Sequence, residues 1–233
     1  MPPVFFDLET DGLPPCNITI ACTLSGGEVR NWVSHDNDGK AVQMTAATAE
    51  ELASYLHSTT DGGRDLVTYN GAKFDLKLLY ELVASEDAKT MVSELVRGHI
   101  DLMLSCALRL GYYTSMDSLA KGSFGSTIKK TASGRDAVEW WKKGEVDKLL
   151  DYCGADCKVL EALHTEASTK TMLYRLPRRG GSRKAFDLSD ALIPVGDVVG
   201  KTPHREDWMK PNATILTTAV DWLPGNKRAK VTH

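Results

Sequence analysis

Val4-Phe5-Phe6-Asp7-Leu8-Glu9 is the stretch of sequence that decides the fold. It is apolar apart from its acids and is short enough for a buried strand. The turn-forming dipeptides Asp11-Gly12 and Pro14-Pro15 follow it and end the strand. Because residues two apart in a strand point to the same face, Asp7 and Glu9 project together from an otherwise apolar segment. The stretch therefore predicts a strand that carries two neighbouring negative charges.

Three further segments have the composition of strands. Residues 18–24 and 29–33 flank Gly26-Gly27, which predicts two strands joined by a tight turn. Residues 66–69 form a short apolar run that is closed by Asn70-Gly71. Together with the first strand, these segments predict a sheet that begins with antiparallel strands.

Apolar residues at helical spacing predict helices in the rest of the chain. Thr48 followed by Glu51 is a capping box for a helix over residues 49–58. A second helix begins near Phe74, since leucines recur there with helical period. The other predicted helices cover residues 101–110, 115–121, 135–143 and 145–167. This order of elements predicts a mixed α/β layer architecture, and the alternative is α+β with a separate tail.

Two more acids fall on the apolar faces of predicted helices. Asp75 lies in phase with the leucines of the helix that begins near Phe74. Asp156 lies four residues after Tyr152, on the apolar stripe of the helix over residues 145–167. Taken singly, each acid is explained as well by a helix cap or an exposed position. Four acids in phase with apolar neighbours nevertheless predict an inward-facing cluster.

A cluster of inward-facing carboxylates needs positive charge to compensate it. Burying one unpaired carboxylate costs several kcal/mol, and like charges repel each other as well. Mg²⁺ and Mn²⁺ prefer oxygen ligands, and two such ions about 4 Å apart can hold the attacking and leaving oxygens of a phosphodiester. The sequence therefore predicts a site for two divalent cations, formed by Asp7, Glu9, Asp75 and Asp156.

Three motifs resemble, in chain order, those of the DEDD (DnaQ-like) superfamily of 3′–5′ exonucleases. They are Phe6-Asp7-Leu8-Glu9-Thr10, Tyr69-Asn70-Gly71-Ala72-Lys73-Phe74-Asp75 and Tyr152-Cys153-Gly154-Ala155-Asp156. The resemblance implies an RNase H-like fold with a mixed sheet of five strands, the first three antiparallel, flanked by helices. Because a tyrosine stands four residues before the last aspartate, the chain resembles the DEDDy subtype, as in the proofreading domains of family A and B DNA polymerases.

The same resemblance implies a role for each site residue. Asp7, Glu9 and Asp156 would ligate the first ion, Asp7 would also ligate the second, and Asp75 would hold the second largely through water. Tyr152 would orient the attacking water, because a free tyrosine has a pKa of about 10 and is a poor base at neutral pH.

Residues beside the motifs are candidates for contact with the substrate. Leu8, Thr10, Asn70 and Phe74 would contact the terminal nucleotide, although a core or turn position explains each of them equally well. Asp101 falls where relatives carry polar residues near the cleft, but a role as a helix N-cap explains it more simply. Cys153 and Cys157 flank the third motif, one helical turn apart, and we expect them to pack against neighbouring side chains.

The composition is that of a soluble globular protein, with 42% hydrophobic and 25% charged residues. The five cysteines are odd in number and lack paired CxxC blocks, which argues against a disulfide framework and against a zinc site. The N-terminus lacks the basic start of a secretory signal, and no apolar stretch is long enough to span a membrane. These features predict a cytoplasmic protein that does not enter a membrane.

Charge divides the chain into two parts. Residues 1–169 carry a net charge of −9 and residues 170–233 a net charge of +6. We therefore predict an RNase H-like exonuclease domain over residues 1–169 and a basic C-terminal extension over residues 170–233, to which no fold is assigned. An extension of this kind suits a polyanion or a protein partner, and a solvated surface explains it as well.

The resulting hypothesis is a metal-dependent 3′–5′ exonuclease. It would remove nucleoside 5′-monophosphates from the 3′ end of single-stranded nucleic acid, with DNA preferred to RNA. The alternatives are a module of the same fold that binds nucleic acid without cleaving it, and an RNase H-like endonuclease.

Overall fold

The computed structural model describes residues 1–128, 132–177, 181–205 and 214–225. In this part of the chain the strands are β1 Val4–Thr10, β2 Ile18–Ser25, β3 Glu28–His35, β4 Ala41–Val42, β5 Leu66–Thr68, β6 Ile100–Asp101, β7 Met172–Arg175 and β8 Lys184–Asp187. The helices are α1 Ala46–Asp61, α2 Asp75–Leu82, α3 Glu86–Gly98, α4 Leu102–Leu110, α5 Met116–Phe124, α6 Gly134–Lys143, α7 Val146–Lys170, α8 Val195–Val198 and α9 Thr214–Thr217.

The first six strands form one sheet in the order β4-β3-β2-β1-β5-β6. β1, β2 and β3 are antiparallel neighbours, whereas β5 pairs parallel to β1 and β6 parallel to β5. Helix α7 packs against β1 and β2, and α1 packs against β3 and β5. The predicted mixed α/β architecture with an antiparallel start is therefore confirmed. The sheet has one strand more than the five expected, because β4 has two residues and is too short to show an alternating pattern.

The start of α1 differs from the prediction for a tertiary reason. Thr45, and not Thr48, is the N-cap, and its side chain accepts a hydrogen bond from the backbone N–H of Thr48. The N–H of Thr45 in turn donates to Oγ of Ser34 on β3 at 2.9 Å, which fixes the cap against the sheet. Helix α1 therefore begins three residues before the expected position, at Ala46.

Parallel pairing of β1 with β5 places the second motif next to the first. Phe5 lies opposite Val67, so β5 ends at the level at which β1 reaches its acids. The segment after β5, Asn70 to Phe74, is called the motif loop below. It therefore runs beside Asp7, and the first turn of α2 is brought to the same edge of the sheet.

The described part of residues 170–233 packs on the same core as the rest of the chain. The hairpin of β7 and β8 lies against α5, where Cβ of any residue at Gly122 would come within 2.4 Å of the carbonyl oxygen of Tyr174. Val195 donates its backbone N–H to the carbonyl oxygen of His99 at 2.9 Å. The buried apolar residues of this part are Leu173, Leu188, Ala191, Val195, Val198, Ile215, Leu216, Ala219, Val220 and Leu223.

The described helices include none that is long and apolar enough to cross a lipid bilayer.

His164 on α7 makes stability depend on pH. Its ring is 8% exposed and meets Phe5 edge to face at 5.7 Å, and this burial lowers the pKa of His164. The unfolded chain, with a histidine pKa of about 6.5, therefore binds more protons than the folded chain below that pH. We expect the free energy of unfolding to fall as the pH drops through this range.

Substituting His164→Gln should reduce the loss of unfolding free energy between about pH 7.5 and 5.5, measured by urea denaturation. Some pH dependence should remain, because burial lowers the pKa of His99 as well. His35→Gln, at an exposed position, is the matched control and should leave the dependence unchanged. An unaltered pH dependence in the His164 variant would contradict the assignment.

Candidate active site

Asp7 and Glu9 form the centre of the candidate site. Both are half-buried on β1, and the register of β1 against β2 shifts between Glu9 and Thr10. One potential ligand atom from each of Asp7, Glu9 and Cys153 lies within 4.8 Å of the other two. Within the described part of the chain, no other three His, Cys, Asp or Glu side chains bring their ligand atoms so close together.

Asp75, the first residue of α2, lies against the same strand. It is 3% exposed, and its Oδ1 accepts a hydrogen bond from the backbone N–H of Leu8 at 3.2 Å. Its carboxylate is therefore held at the residue that separates Asp7 from Glu9. A negative charge in the first turn of a helix is also stabilised by the helix dipole.

Asp156 and Tyr152 lie on α7, the helix that packs against β1 and β2. They are 2% and 4% exposed, and the ring of Tyr152 meets Trp140 of α6 edge to face at 5.9 Å. One helical turn separates the two side chains, so both lie on the face of α7 that packs on the sheet.

Cys157 of α7 is a buried thiol whose pKa is affected by carboxylates on three elements. Burial is the main reason that this pKa is raised well above its usual range. The charges of Asp7, Asp156 and Asp75 each raise it further. Acids on β1, α7 and α2 are therefore close enough to this buried thiol to act on its pKa.

Cys153 lies closer to the acids than the sequence indicated. Its thiol donates to the backbone carbonyl of Asp7 at 3.4 Å and to the carboxylate of Asp7 at 3.7 Å. Burial raises the pKa of Cys153 well above its usual range, and the neighbouring Cys22 and Asp7 raise it further, so the thiol is neutral. The sequence could have indicated this proximity, because Cys153 stands three residues before Asp156 and therefore shares a face of α7 with it.

The donor set of the site fits a divalent cation. Asp7 and Glu9 supply carboxylate oxygens, the ligands that hard ions prefer, and the neutral Cys153 thiol can act as a hydrogen-bond donor to Asp7. Asp75 and Asp156 are not part of the 4.8 Å group. Like charges repel, which disfavours closer approach of four carboxylates.

A cleft of about 780 Å³ opens next to Glu9. Its surface is mainly apolar, and Leu8, Thr10 and Phe74, three of the four residues expected to contact a nucleotide, line it. Asn70, the fourth, is not part of the lining. Asn70 instead shapes the motif loop. It adopts a φ of 72° and donates its backbone N–H to Asp101.

Sequence reasoning missed two parts of the cleft wall. Leu13 is 88% exposed, unusually so for a leucine, and it follows the first motif by three residues. The other part is the start of α6, which contributes Ser133, Gly134, Arg135, Val138 and Glu139. A leucine between the turn residues Gly12 and Pro14 was a sequence signal for an exposed apolar side chain. The position of α6 has no such signal, because it depends on how the chain folds back.

Asp101 anchors the motif loop and caps a helix as well. Its carboxylate accepts the backbone N–H groups of Asn70 and Ala72 at 3.0 and 3.1 Å, and those of Met103 and Leu104 in the first turn of α4 at 3.0 and 3.3 Å. Burial raises the pKa of Asp101, while the nearby His99 and the amides lower it. The expected N-cap role is present, and the contacts to the motif loop add to it.

The loop also depends on a glycine. Cβ of a side chain at Gly71 would come within 2.3 Å of Oγ1 of Thr68, so only glycine permits this close approach.

A search of the curated proteins finds no match to this chain. A family model of the RNase H superfamily matches residues 4–168, which include all five predicted site residues, Asp7, Glu9, Asp75, Tyr152 and Asp156. This match spans well over half of the 233 residues. The chain therefore belongs to the RNase H superfamily, which indicates a hydrolytic nuclease that uses divalent metal ions and acts on nucleic acid.

Proposed function

We propose that the protein is a 3′–5′ exonuclease that removes nucleoside 5′-monophosphates from single-stranded nucleic acid. The observation that carries this proposal is the position of Glu9, which lines the 780 Å³ cleft and whose carboxylate is grouped with that of Asp7 on β1. A cleft of this size accommodates one small ligand, and its apolar surface suits the faces of an unpaired base. A continuous duplex would instead need a long polar groove along its backbones.

Each acid has a distinct part in holding the metal ions. Two divalent cations, Mg²⁺ or Mn²⁺, would supply an activated water and neutralise the charge of the phosphodiester. Asp7, Glu9 and Asp156 would hold one ion, and Asp7 the other, with Asp75 acting on the second through water. The hydrogen bond from the N–H of Leu8 to Asp75 keeps that carboxylate oriented toward the strand.

Tyr152 would position the attacking water and not deprotonate it. A phenol hydroxyl can both donate and accept a hydrogen bond, so it can hold a water in place. Its ring is held edge to face by Trp140, which limits its orientations. A fixed hydroxyl suits the orientation of a small nucleophile.

The cleft would bind the terminal nucleotide through its base and its phosphate. Leu8, Phe74 and Leu13 offer apolar surface for the base. Arg135 is the one cation among the described residues of the lining, and it can balance the charge of a phosphate close to Glu9. Asn70 would act indirectly, by keeping the motif loop in place.

The mainly apolar surface of the cleft supports a preference for DNA. Recognition of a ribose requires a partner for the 2′-hydroxyl. The hydroxyl of Thr10 already donates to the carbonyl oxygen of Gly12 at 2.8 Å, and most of the lining is apolar. We therefore propose that single-stranded DNA is degraded faster than RNA.

Digestion of matched 5′-labelled DNA and RNA oligonucleotides, single- and double-stranded, tests the proposal. With Mg²⁺ or Mn²⁺, single-stranded DNA should give a ladder of labelled products that shortens by one nucleotide at a time from the 3′ end. EDTA should stop the reaction, and a circular single strand should remain intact.

Other outcomes support the other functions. Cleavage of the circle would identify an endonuclease. Tight binding of a 3′-tailed oligonucleotide without products in either metal would identify a module that binds nucleic acid but does not cleave it.

A further inference from the structure

Residues 214–225, called the C-terminal clasp below, pack on the side of the fold that carries the motif loop. The segment begins with α9 and contributes three side chains that are almost fully buried, Leu216, Ala219 and Leu223. The clasp belongs to the part of the chain for which the sequence predicted no fold. Its contacts with the loop nevertheless come within a few residues of the candidate site.

Trp222 joins the clasp to the motif loop. Its indole Nε1–H is shared between the carbonyl oxygen of Ala72, at 2.9 Å, and that of Ala219, at 3.1 Å. The indole ring also lies 5.4 Å from the ring of Tyr80 on α2. One side chain thus contacts the chain on both sides of Asp75.

A second set of contacts connects the clasp to the motif loop through Tyr113. The hydroxyl of Tyr113, in the segment after α4, donates to the carbonyl oxygen of Ile215. The ammonium group of Lys73 lies 5.2 Å from the centre of the Tyr113 ring. The clasp is therefore connected to two consecutive residues of the loop, directly at Ala72 and through Tyr113 at Lys73.

These contacts complete the restraint on a loop with an unusual backbone. Ala72 donates its N–H to Asp101 and accepts the indole N–H of Trp222 at its carbonyl oxygen, so both backbone polar groups of this residue are held. Phe74, which lines the cleft, and Asp75, which is bonded to the N–H of Leu8, follow within three residues. A shift of Ala72 would be passed to both.

We propose that the C-terminal clasp positions the motif loop for catalysis, with Trp222 as its positioning residue. The proposal rests on the function proposed above, because it assigns the clasp a part in the same reaction. Trp222 does not line the cleft and acts through Ala72 on the placement of Phe74 and Asp75. The extension is then a working part of the nuclease and not an appendage.

Two substitutions separate the hydrogen bond from the packing. Trp222→Phe keeps an aromatic ring and removes the donor, and Trp222→Ala removes both. Since small misplacements of reacting groups lower rates strongly, we expect kcat to fall about threefold in the first variant and tenfold or more in the second, with KM changed less than about twofold.

A readout independent of activity is amide hydrogen exchange. The N–H of Ala72 donates to the carboxylate of Asp101, and the N–H of Leu8 donates to that of Asp75. Both should exchange about tenfold faster in Trp222→Ala, because the loop opens more often. Thermal unfolding of each variant shows that the fold persists.

Trp32→Phe is the matched control. Trp32 is 5% exposed on β3, and within the described chain its buried Nε1–H has no hydrogen-bond partner. This variant loses a similar volume of ring and no hydrogen bond, so it should leave kcat and both exchange rates unchanged.

The outcomes distinguish this proposal from the one on which it rests. Unchanged exchange at Ala72 and Leu8 in Trp222→Ala, or faster exchange with wild-type kcat, would overturn the role of the clasp. A wild-type protein without nuclease activity would overturn the proposed function, and the exchange measurement would still decide whether Trp222 holds the loop.

Discussion

Asp7→Asn is expected to lower kcat for digestion of a 5′-labelled oligonucleotide by at least about a thousandfold, the scale on which metal-assisted hydrolysis depends on its ligands. Asp7 is central to the candidate site, because its carboxylate, that of Glu9 and the Cys153 thiol lie within 4.8 Å of one another. Asparagine keeps the shape of the side chain and removes the charge that would hold both ions. Single-turnover digestion in Mg²⁺ measures the effect.

Asp156→Asn should have an effect of the same order, since it removes the buried carboxylate that α7 would contribute to the first ion. Asp151→Asn is the matched control, because Asp151 is an exposed acid on the same helix, next to Tyr152. The control should retain wild-type kcat. Undiminished degradation by both Asp7→Asn and Asp156→Asn would remove the assignment of these acids to the site.

Asp101→Ala is expected to lower the free energy of unfolding by about 3–5 kcal/mol, the usual cost of breaking a buried charged network by removing one member. Asp101 is 1% exposed and accepts four backbone N–H groups, two from the motif loop and two from α4. Alanine would leave all four donors without this acceptor. Urea denaturation measures the change.

A surface acid provides the comparison for Asp101. Asp117 lies in the first turn of α5, and its exposed carboxylate pairs with Lys121 at 2.7 Å. Exposed pairs of this kind contribute about 0–1 kcal/mol, so Asp117→Ala should leave stability nearly unchanged. Equal losses in the two variants would show that the amide contacts of Asp101 are not the source of its effect.

The sequence predicted only one of the two roles of Asp101, the N-cap of α4, and not its contacts with the motif loop. An acid directly before a run of helix-forming residues indicates an N-cap, since capping is a contact between residues two or three apart. The contacts to Asn70 and Ala72 span about thirty residues of chain. No local pattern records them, because they exist only after β5 and β6 have paired.

Local periodicity was enough to predict the direction in which the four acidic side chains point. The alternation of β1 put Asp7 and Glu9 on one face, and the helical phase of α2 and α7 turned Asp75 and Asp156 inward, where they are 3% and 2% exposed. Such phases follow from backbone geometry within one element and need no knowledge of its neighbours. The sequence by itself thus determined the α/β class, the antiparallel start of the sheet and the inward direction of these carboxylates.

Which other side chains and backbone groups contact the elements that carry those carboxylates was decided by the tertiary structure alone. It brought the Cys153 thiol to Asp7, the start of α6 to the cleft, and Trp222 to the carbonyl oxygen of Ala72, 150 residues away along the chain. Each of these contacts joins elements that are distant in sequence, and its energy depends on how whole faces pack and not on the pattern within either segment. That is why a basic extension without readable periodicity holds a loop of the candidate site.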